Sequence, residues 1–253
     1  MRIQKLNWAG IKIDCAGKTI LIDAVENFKP YYKILGDPQT PLVRFADDTK
    51  ADYLLFTHLH LDHFDISVIE KCLKPDGKII CYNKLQPIVS NLYKPVIYLG
   101  TDDRFEENGI VFKSVFSLDG IGEEQTSWII SYEQTNIFHG GDTIWHNQFW
   151  KLGKENADID FAFLPVNGVV VNFEMAGLEY STVPASLTLE QAFNAAKLLH
   201  AKELVPIHYG KFSTQYYQPA LITEKDWESL SSAIGQAYRI VEDGQFLPVK
   251  EPK

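Results

Sequence analysis

A chain of 253 residues with a formal net charge of −9 and a pI of about 5.3 is a poor candidate for a nucleic-acid surface, which needs a basic stripe. Its 45% hydrophobic content suits one globular domain over residues 1–253, and no apolar run is long enough to cross a bilayer. The opening Met1-Arg2-Ile3-Gln4-Lys5-Leu6 lacks the apolar core of a signal peptide, and Cys15, Cys72 and Cys81 show no C-x-x-C spacing, so buried thiols in a reducing cytoplasm are expected.

The first segment reads as short strands, Ile3 to Trp8, Ile11 to Cys15 and Thr19 to Asp23, with turns at Gly10 and Ala16-Gly17-Lys18. Residues 24–50, rich in Pro, Gly, Tyr and charge, form a long loop leaving a strand end. One reading is a lid or substrate wall with Tyr31, Tyr32 and Arg44 as contacts; the other is surface decoration or an oligomer contact. Tyr53-Leu54-Leu55-Phe56 is a buried strand. It runs into Thr57-His58-Leu59-His60-Leu61-Asp62-His63-Phe64-Asp65, which holds three of the 7 histidines. In an extended segment His58 and His60 point the same way and Leu59 points back into the core. A tight turn then lets Asp62 and His63 reach a point beside the first pair. Asp65 can cap a helix from Ile66 to about Lys74. Imidazole and carboxylate together suit Zn, Mn or Fe, and the absence of thiolates argues against a structural zinc site. Ordinary loop histidines are the bland alternative, weakened by so many ligand types in so short a window.

Beyond this loop, Lys78 to Cys81 and Val96 to Leu99 read as strands flanking a short helix, Lys84 to Asn91, with Pro75-Asp76-Gly77 punctuating the first junction. Ile110 to Phe116, Ser127 to Tyr132 and Asn136 to His139 form a run of strands. It ends in Gly140-Gly141-Asp142-Thr143, where small residues let the backbone approach a ligand with a carboxylate at the tip. Phe161 to Pro165 is another buried strand, and 169–184 a loop near the site mouth. Thr188-Leu189-Glu190-Gln191 is a capping box opening a helix to about His200. Glu203 to Gly210 is strand then turn. A last helix, about Thr223 to Tyr238, precedes a hairpin pairing Arg239–Val241 with Phe246–Val249 across Glu242-Asp243-Gly244.

His58-Leu59-His60-Leu61-Asp62-His63 resembles the H-x-H-x-D-H signature of the metallo-β-lactamase superfamily, and later segments extend the likeness over most of the chain. The resemblance implies an α/β fold, a four-layer αββα sandwich, holding two divalent metal ions. Gly17 to Asp23 is similar to a family strand whose aspartate supports the metal loop; a solvated strand-end Asp23 is the alternative. Asp142 matches the aspartate that bridges the two metals, and His208 the histidine that completes the second site. The string Pro206-Ile207-His208-Tyr209-Gly210, with Phe212, resembles the subgroup that includes L-ascorbate-6-phosphate lactonase.

One position departs from the family. A further histidine, the third ligand of the first metal, belongs at the end of the strand that here spans Gly109 to Asp119, and none is present. Asp119 occupies that place, or Ser117 if the register is shifted. Three readings stay open. Asp119 ligates through oxygen and moves preference towards Mn or Fe. The first metal is lost, leaving one site at Asp62, His63, Asp142 and His208. Or His139 or His146 swings in, although strand direction puts His139 closer to a supporting position. His200, at a helix end, reads as a partner of the macrodipole.

The expected ligands are therefore His58, His60, Asp62, His63, Asp119, Asp142 and His208, for two divalent ions (Zn, Mn or Fe) or for one alone. The implied activity is hydrolysis of a small ester, lactone or phosphodiester by a metal-activated water, with Asp62 orienting or deprotonating that water. Tyr209 and Tyr180 are candidates for binding substrate. The alternative is a catalytically degenerate member of the fold that binds a metal or ligand. The partner expected is a small-molecule substrate, anionic ones included because the metals supply positive charge. No nucleic acid or membrane is expected, and a homo-oligomer is left open.

Overall fold

The computed structural model describes residues 1–92, 94–156, 158–174 and 177–248. Two central sheets face each other. The first holds β1 (Arg2–Lys5), β2 (Ile11–Cys15), β3 (Lys18–Ile22), β4 (Ala51–Leu55), β5 (Leu73–Tyr82) and β6 (Val96–Leu99) side by side in that order. The second runs β7 (Arg104–Glu107), β8 (Ile110–Phe116), β9 (Thr126–Tyr132), β10 (Thr135–His139) and β11 (Phe161–Pro165). A two-residue strand, β12 (Val170–Val171), then precedes β13 (Glu203–Ile207), which lies parallel to β11. β14 (Tyr217–Gln218) pairs with β12 in a small ribbon, and β15 (Phe246–Leu247) adds to the outer edge of β1.

Burial follows strand type. β2 alternates, with Ile11, Ile13 and Cys15 buried between half-buried Lys12 and Asp14. The inner parallel strands β4 and β11 are buried at every position because both faces are covered. Ile13, Ile22, Phe112, Trp128 and Phe163 fill the space between the sheets. α1 (Tyr32–Leu35), in the 24–50 segment, buries Leu35 in the core between the sheets, whereas outside the first sheet α2 (Ile66–Cys72) packs Val68, Ile69 and Cys72 against Leu54 and Ile79. The short α3 (Gln86–Val89) follows β5. Outside the second sheet, α4 (Gln148–Glu155), α5 (Leu189–Leu198) and α6 (Glu224–Ile234) bury Phe149, Leu152, Phe193 and Trp227. Three apolar cores between four layers make the αββα sandwich that the sequence resemblance implies. Among the described residues no helix is long and apolar enough to cross a membrane.

Several boundaries differ from expectation. β1 stops at Lys5, because Leu6 to Gly10 closes a turn in which Leu6 N–H donates to Gly10 O and Gly10 N–H to Asn7 O, each at 2.8 Å. α2 ends at Cys72; Leu73 is already extended and Pro75 disfavours helix at Lys74, so Pro75-Asp76-Gly77 lies inside β5. The expected 84–91 helix is broken into short turns around the single turn of α3. α5 ends at Leu198, and α6 stops at Ile234 because Gly235, at φ 71°, caps it. The expected tail hairpin is not formed. β15 pairs with β1 instead, in the register Ile3 to Leu247, while Arg239 N–H donates to Leu204 O beside β13. Two open sheet edges outcompete a local hairpin. Val249, part of the expected hairpin, lies outside the described residues. β7, α4, β12 and β14 were not foreseen. The cysteines are free and buried, as expected.

Asp52, at the far end of β4 from the histidine loop, ties the base of the first sheet together. Its carboxylate accepts from Lys74 Nζ at 2.7 Å, Lys18 Nζ at 3.0 Å and Thr19 N–H at 3.0 Å. Burial alone would raise its pKa, but these donors outweigh it and the value is lowered. A carboxylate with a depressed folded pKa stabilises above its unfolded value, near 3.9, and loses that contribution as pH falls through the folded value. Asp52→Asn is expected to cost about 1–2 kcal/mol at pH 7, since both lysines are partly solvated. Urea unfolding at pH 7 and pH 3 checks it: a deficit of equal size at both pH values removes the charge argument.

Candidate metal centre

The site lies where the carboxyl ends of β4, β8, β10 and β13 converge. After β4, the extended stretch through His58 and His60 puts both imidazoles on the same side, while Leu59 packs against the outer core. The chain then turns tightly: His63 N–H and Phe64 N–H both donate to His60 O, at 2.9 and 2.8 Å. This turn leaves Leu61 exposed and buries Asp62 and His63. Asp65 caps α2 by accepting from Ser67 N–H at 2.9 Å, which fixes the far end of the loop.

Two groups of ligand-type atoms result, each with all its atoms within 4.8 Å of one another. One comprises His58, His60, Asp119 and Asp142; the other comprises Asp62, His63, Asp142 and His208. Asp142 belongs to both. His63 Nε2 and His208 Nε2 stand 3.0 and 2.9 Å from Asp142 Oδ1, and His208 Nε2 is 3.3 Å from Asp62 Oδ2. His60 Nδ1 is 4.0 Å from Asp119 Oδ1. All seven expected ligands are thus brought together.

Supporting contacts set which nitrogen faces inward. Asp23 is buried at the end of β3 and accepts from Thr57 N–H at 2.8 Å and Thr57 Oγ1 at 2.6 Å. Its Oδ2 also lies 2.8 Å from His63 Nδ1, so Nδ1 carries the proton and Nε2 is free to ligate. Thr57 Oγ1 directs its O–H to Asp23 and lies 3.0 Å from His58 Nδ1, so it accepts there and turns His58 Nε2 inward. The supporting reading of Asp23 therefore replaces the solvated one. Trp8 Nε1 donates to Asp62 Oδ2 at 3.0 Å, and the Trp8 ring lies 4.2 Å from the His208 ring, centroid to centroid. Gln125 accepts from Asp142 N–H at 3.0 Å and donates to Ser117 Oγ at 2.7 Å. Ser117 is thereby occupied, and Asp119 fills the position of the family's missing histidine. The Asp119 side chain is steadied by Ile121 N–H at 2.8 Å and Glu123 N–H at 3.1 Å.

Three of the eight side-chain-bearing residues with left-handed backbone among the described residues lie here: Trp8, Asp23 and His208, at φ of 59°, 46° and 60°. Gly141 has φ 59°, and a Cβ there would sit 2.5 Å from Thr57 Oγ1, so only glycine lets the Asp142 turn close on the histidine loop.

These residues fit a pair of cations. Asp62 Oδ1, His63 Nε2 and Asp142 Oδ1 are buried with no hydrogen-bond partner, and all three atoms face the cluster. His58 Nε2 and His60 Nδ1 lie 2.9 Å apart, a separation that two imidazole lone pairs tolerate only with a proton or cation between them. In the bare cluster, burial lowers the His58 pKa well below normal, and the neighbouring His63 charge adds to this. Burial acts in the same direction on His63 and His208, but Asp142 and Asp62 outweigh it and raise both. Asp119 is raised by burial and by Asp142, against the pull of His60.

The other candidates lie elsewhere. His139 does not swing in: its Nε2 donates to Ala9 O at 2.8 Å, and its Nδ1 accepts from Gly141 N–H at 3.3 Å, bracing the Asp142 turn. His146 stacks on Phe149 at 4.0 Å, away from the cluster. Tyr31 lines the cleft over the cluster, whereas Tyr32 packs on the inner core and Arg44 is exposed. Tyr209 packs against Trp227 in the outer core, and Tyr180 is exposed, so neither forms the cleft wall. Trp8, Gln125 and Tyr217 were missed. Tyr217, whose hydroxyl is 3.2 Å from His208 Nδ1, has no signal in its local sequence.

Fold and site together define a metallo-β-lactamase sandwich with a two-position His/Asp centre at the strand ends. The chain belongs to the beta-lactamase superfamily domain family, which it matches over residues 18–209. A UPF0173 metal-dependent hydrolase of Anoxybacillus flavithermus is 30% identical over 254 residues, covering 94% of this chain and 98% of that protein. Among solved structures, the metallo hydrolase Igni18 of Ignicoccus hospitalis superposes with a TM-score of 0.73 at 18% identity, covering 98% and 99% of the two chains. An isothiocyanate hydrolase from Delia radicum gut bacteria gives 0.74 at 20% identity with the same coverage. At these identities the structural likeness concerns the fold.

Proposed function

We propose that this chain is a metal-dependent hydrolase that cleaves a small carboxylic ester or lactone, with a phosphodiester as the less favoured substrate. The observation that carries the proposal is the shared carboxylate: Asp142 belongs to both ligand groups, with unpartnered buried atoms of Asp62, His63 and Asp142 facing the same space. His58, His60, Asp119 and Asp142 would hold one cation, and Asp62, His63, Asp142 and His208 the other. Divalent cations bound there supply Lewis acidity and a water acidic enough to attack near neutral pH.

The chain's own residues prepare that chemistry. Trp8 holds one oxygen of Asp62, leaving Oδ1 to orient the attacking water and take its proton. Asp23 and Thr57 fix the tautomers of His63 and His58. The C-terminal string that resembles the ascorbate-6-phosphate lactonase subgroup puts His208 at this centre and so supports the lactone side of the reading. A degenerate binding module drew its support from the missing histidine. Asp119 in that place, with two backbone donors steadying it, weakens that alternative.

Elemental analysis of protein purified without chelator, paired with ester and phosphodiester turnover, tests the reading. The expected result is about two cations per chain, falling to about one in Asp119→Ala, with turnover reduced by ~10²-fold or more. Absence of both bound metal and metal-dependent cleavage would sink the hydrolase.

A further inference from the structure

The cleft that leads to the cation cluster is apolar and carries no positive side chain. Two loops form its lips. Tyr31 and Ile34 come from the 24–50 segment, and Val169, Val171 and Phe173 from the stretch after β11, with Tyr217 beneath them. Ile121, 39% exposed, stands on the third side, beyond Asp119. Among the described residues, no lysine or arginine lines this cleft. Its free volume is about 20 Å³, little more than one water needs, so a substrate enters slim or parts the lips.

The charge balance points the same way. Asp62, Asp119 and Asp142 offset three of the four positive charges that two divalent cations would bring, one more than in the family, where a neutral histidine stands in place of Asp119. The protein as a whole has a net charge of −9. An anionic substrate tail lying along this cleft would meet apolar lips that offer no lysine or arginine, with the carboxylates having offset most of the cluster's positive charge, which penalises it. Above the ligand residues the walls offer one phenol, that of Tyr31, because the Tyr217 hydroxyl is engaged by Asn167 and His208. Burial pushes the Tyr31 hydroxyl pKa up, so it serves as a neutral donor. A phenol donor beside hydrocarbon recognises a carbonyl or ether oxygen on an uncharged molecule.

We infer that the substrate is uncharged: a small ester or lactone carrying a compact hydrocarbon group, seated between the two lips with its carbonyl towards the cation cluster. This rests on the hydrolase reading for the fate of the molecule, but not for its recognition. It excludes substrates with a phosphate or carboxylate tail, so the likeness to the ascorbate-6-phosphate lactonase subgroup extends to the lactone ring and not to the phosphate.

The experiment compares two inert ligands of equal length on the metal-loaded full chain by titration calorimetry. They are N-butylacetamide and its terminal sulfonate, N-(4-sulfobutyl)acetamide, whose charge is a weak metal ligand. The neutral ligand is expected to bind ~10-fold tighter or more, given the cost of an unpaired charge beside carboxylates. Equal affinity, a preference for the sulfonate, or binding of neither overturns the inference. Ile121→Lys places a cation on the exposed wall while keeping the backbone N–H that Asp119 uses. It is expected to shift the preference towards the sulfonate by about tenfold, and an unchanged ratio overturns the cleft as the recognition surface. The same comparison with p-nitrophenyl butyrate and p-nitrophenyl hemisuccinate reads kcat/KM. If neither ester is cleaved, the hydrolase reading fails while the binding comparison still decides the charge of the ligand.

Discussion

Asp142→Ala is expected to strip both cations from the protein and lower turnover by ~10³-fold or more, the largest loss from any single substitution in the chain. The reason is the position of one carboxylate in two ligand sets. His63 Nε2 and His208 Nε2 approach its Oδ1 at 3.0 and 2.9 Å, and the same residue closes the set formed by His58, His60 and Asp119. A ligand at one position costs one site; a shared ligand costs both and removes the charge that keeps two cations close. Asp142→Asn serves as the shape control, because it preserves volume and the Asp142 N–H bond to Gln125 while removing the charge. Elemental analysis with circular dichroism on both variants is the check. A folded Asp142→Asn protein that retains two cations per chain contradicts the sharing.

Removing the cations is expected to destabilise the protein markedly. Without them, Asp62 Oδ1, His63 Nε2 and Asp142 Oδ1 are buried polar atoms with no partner. Linkage sets the scale. Free cation at a thousand times its dissociation constant stabilises by about 4 kcal/mol. At this chain length that corresponds to a fall in Tm of roughly 8–16 °C on chelation. Scanning calorimetry with and without EDTA, followed by readdition of Zn, Mn or Fe, measures it. A Tm indifferent to chelator would mean that the cluster is stable on its own protons and binds no structural cation pair.

The parts of this site that were legible in the sequence were those written locally. His58, His60, Asp62 and His63 sit in one loop, so alternation and a turn suffice to converge them. Asp142 was flagged by small residues at a strand end, and His208 by its match to the family's histidine. Asp119 was placed by register alone, and the structure gains it through the Asp119–Thr143 bridge. Trp8 could not be read: its indole meets Asp62 across 54 residues of sequence, through a turn whose left-handed backbone has no motif. The four layers followed from the family resemblance, whereas α4 hid behind a polar sequence with only Phe149 and Leu152 buried. The tail was misread because a local turn signal says nothing about a distant open edge.

That edge has a consequence for how the protein is made. β1 leaves the ribosome 244 residues ahead of its partner β15, counted between the paired Ile3 and Leu247. At about 5–20 residues per second, roughly 12–50 s separate the two during synthesis. Through that interval the outer backbone of β1 is an unsatisfied template for any passing strand. The exposed Arg2 and the polar Gln4 on β1 discourage such pairing while the edge waits. When β15 arrives, the same Arg2 settles over the Phe246 ring at 4.5 Å, so one side chain guards the nascent chain and then clasps the finished one.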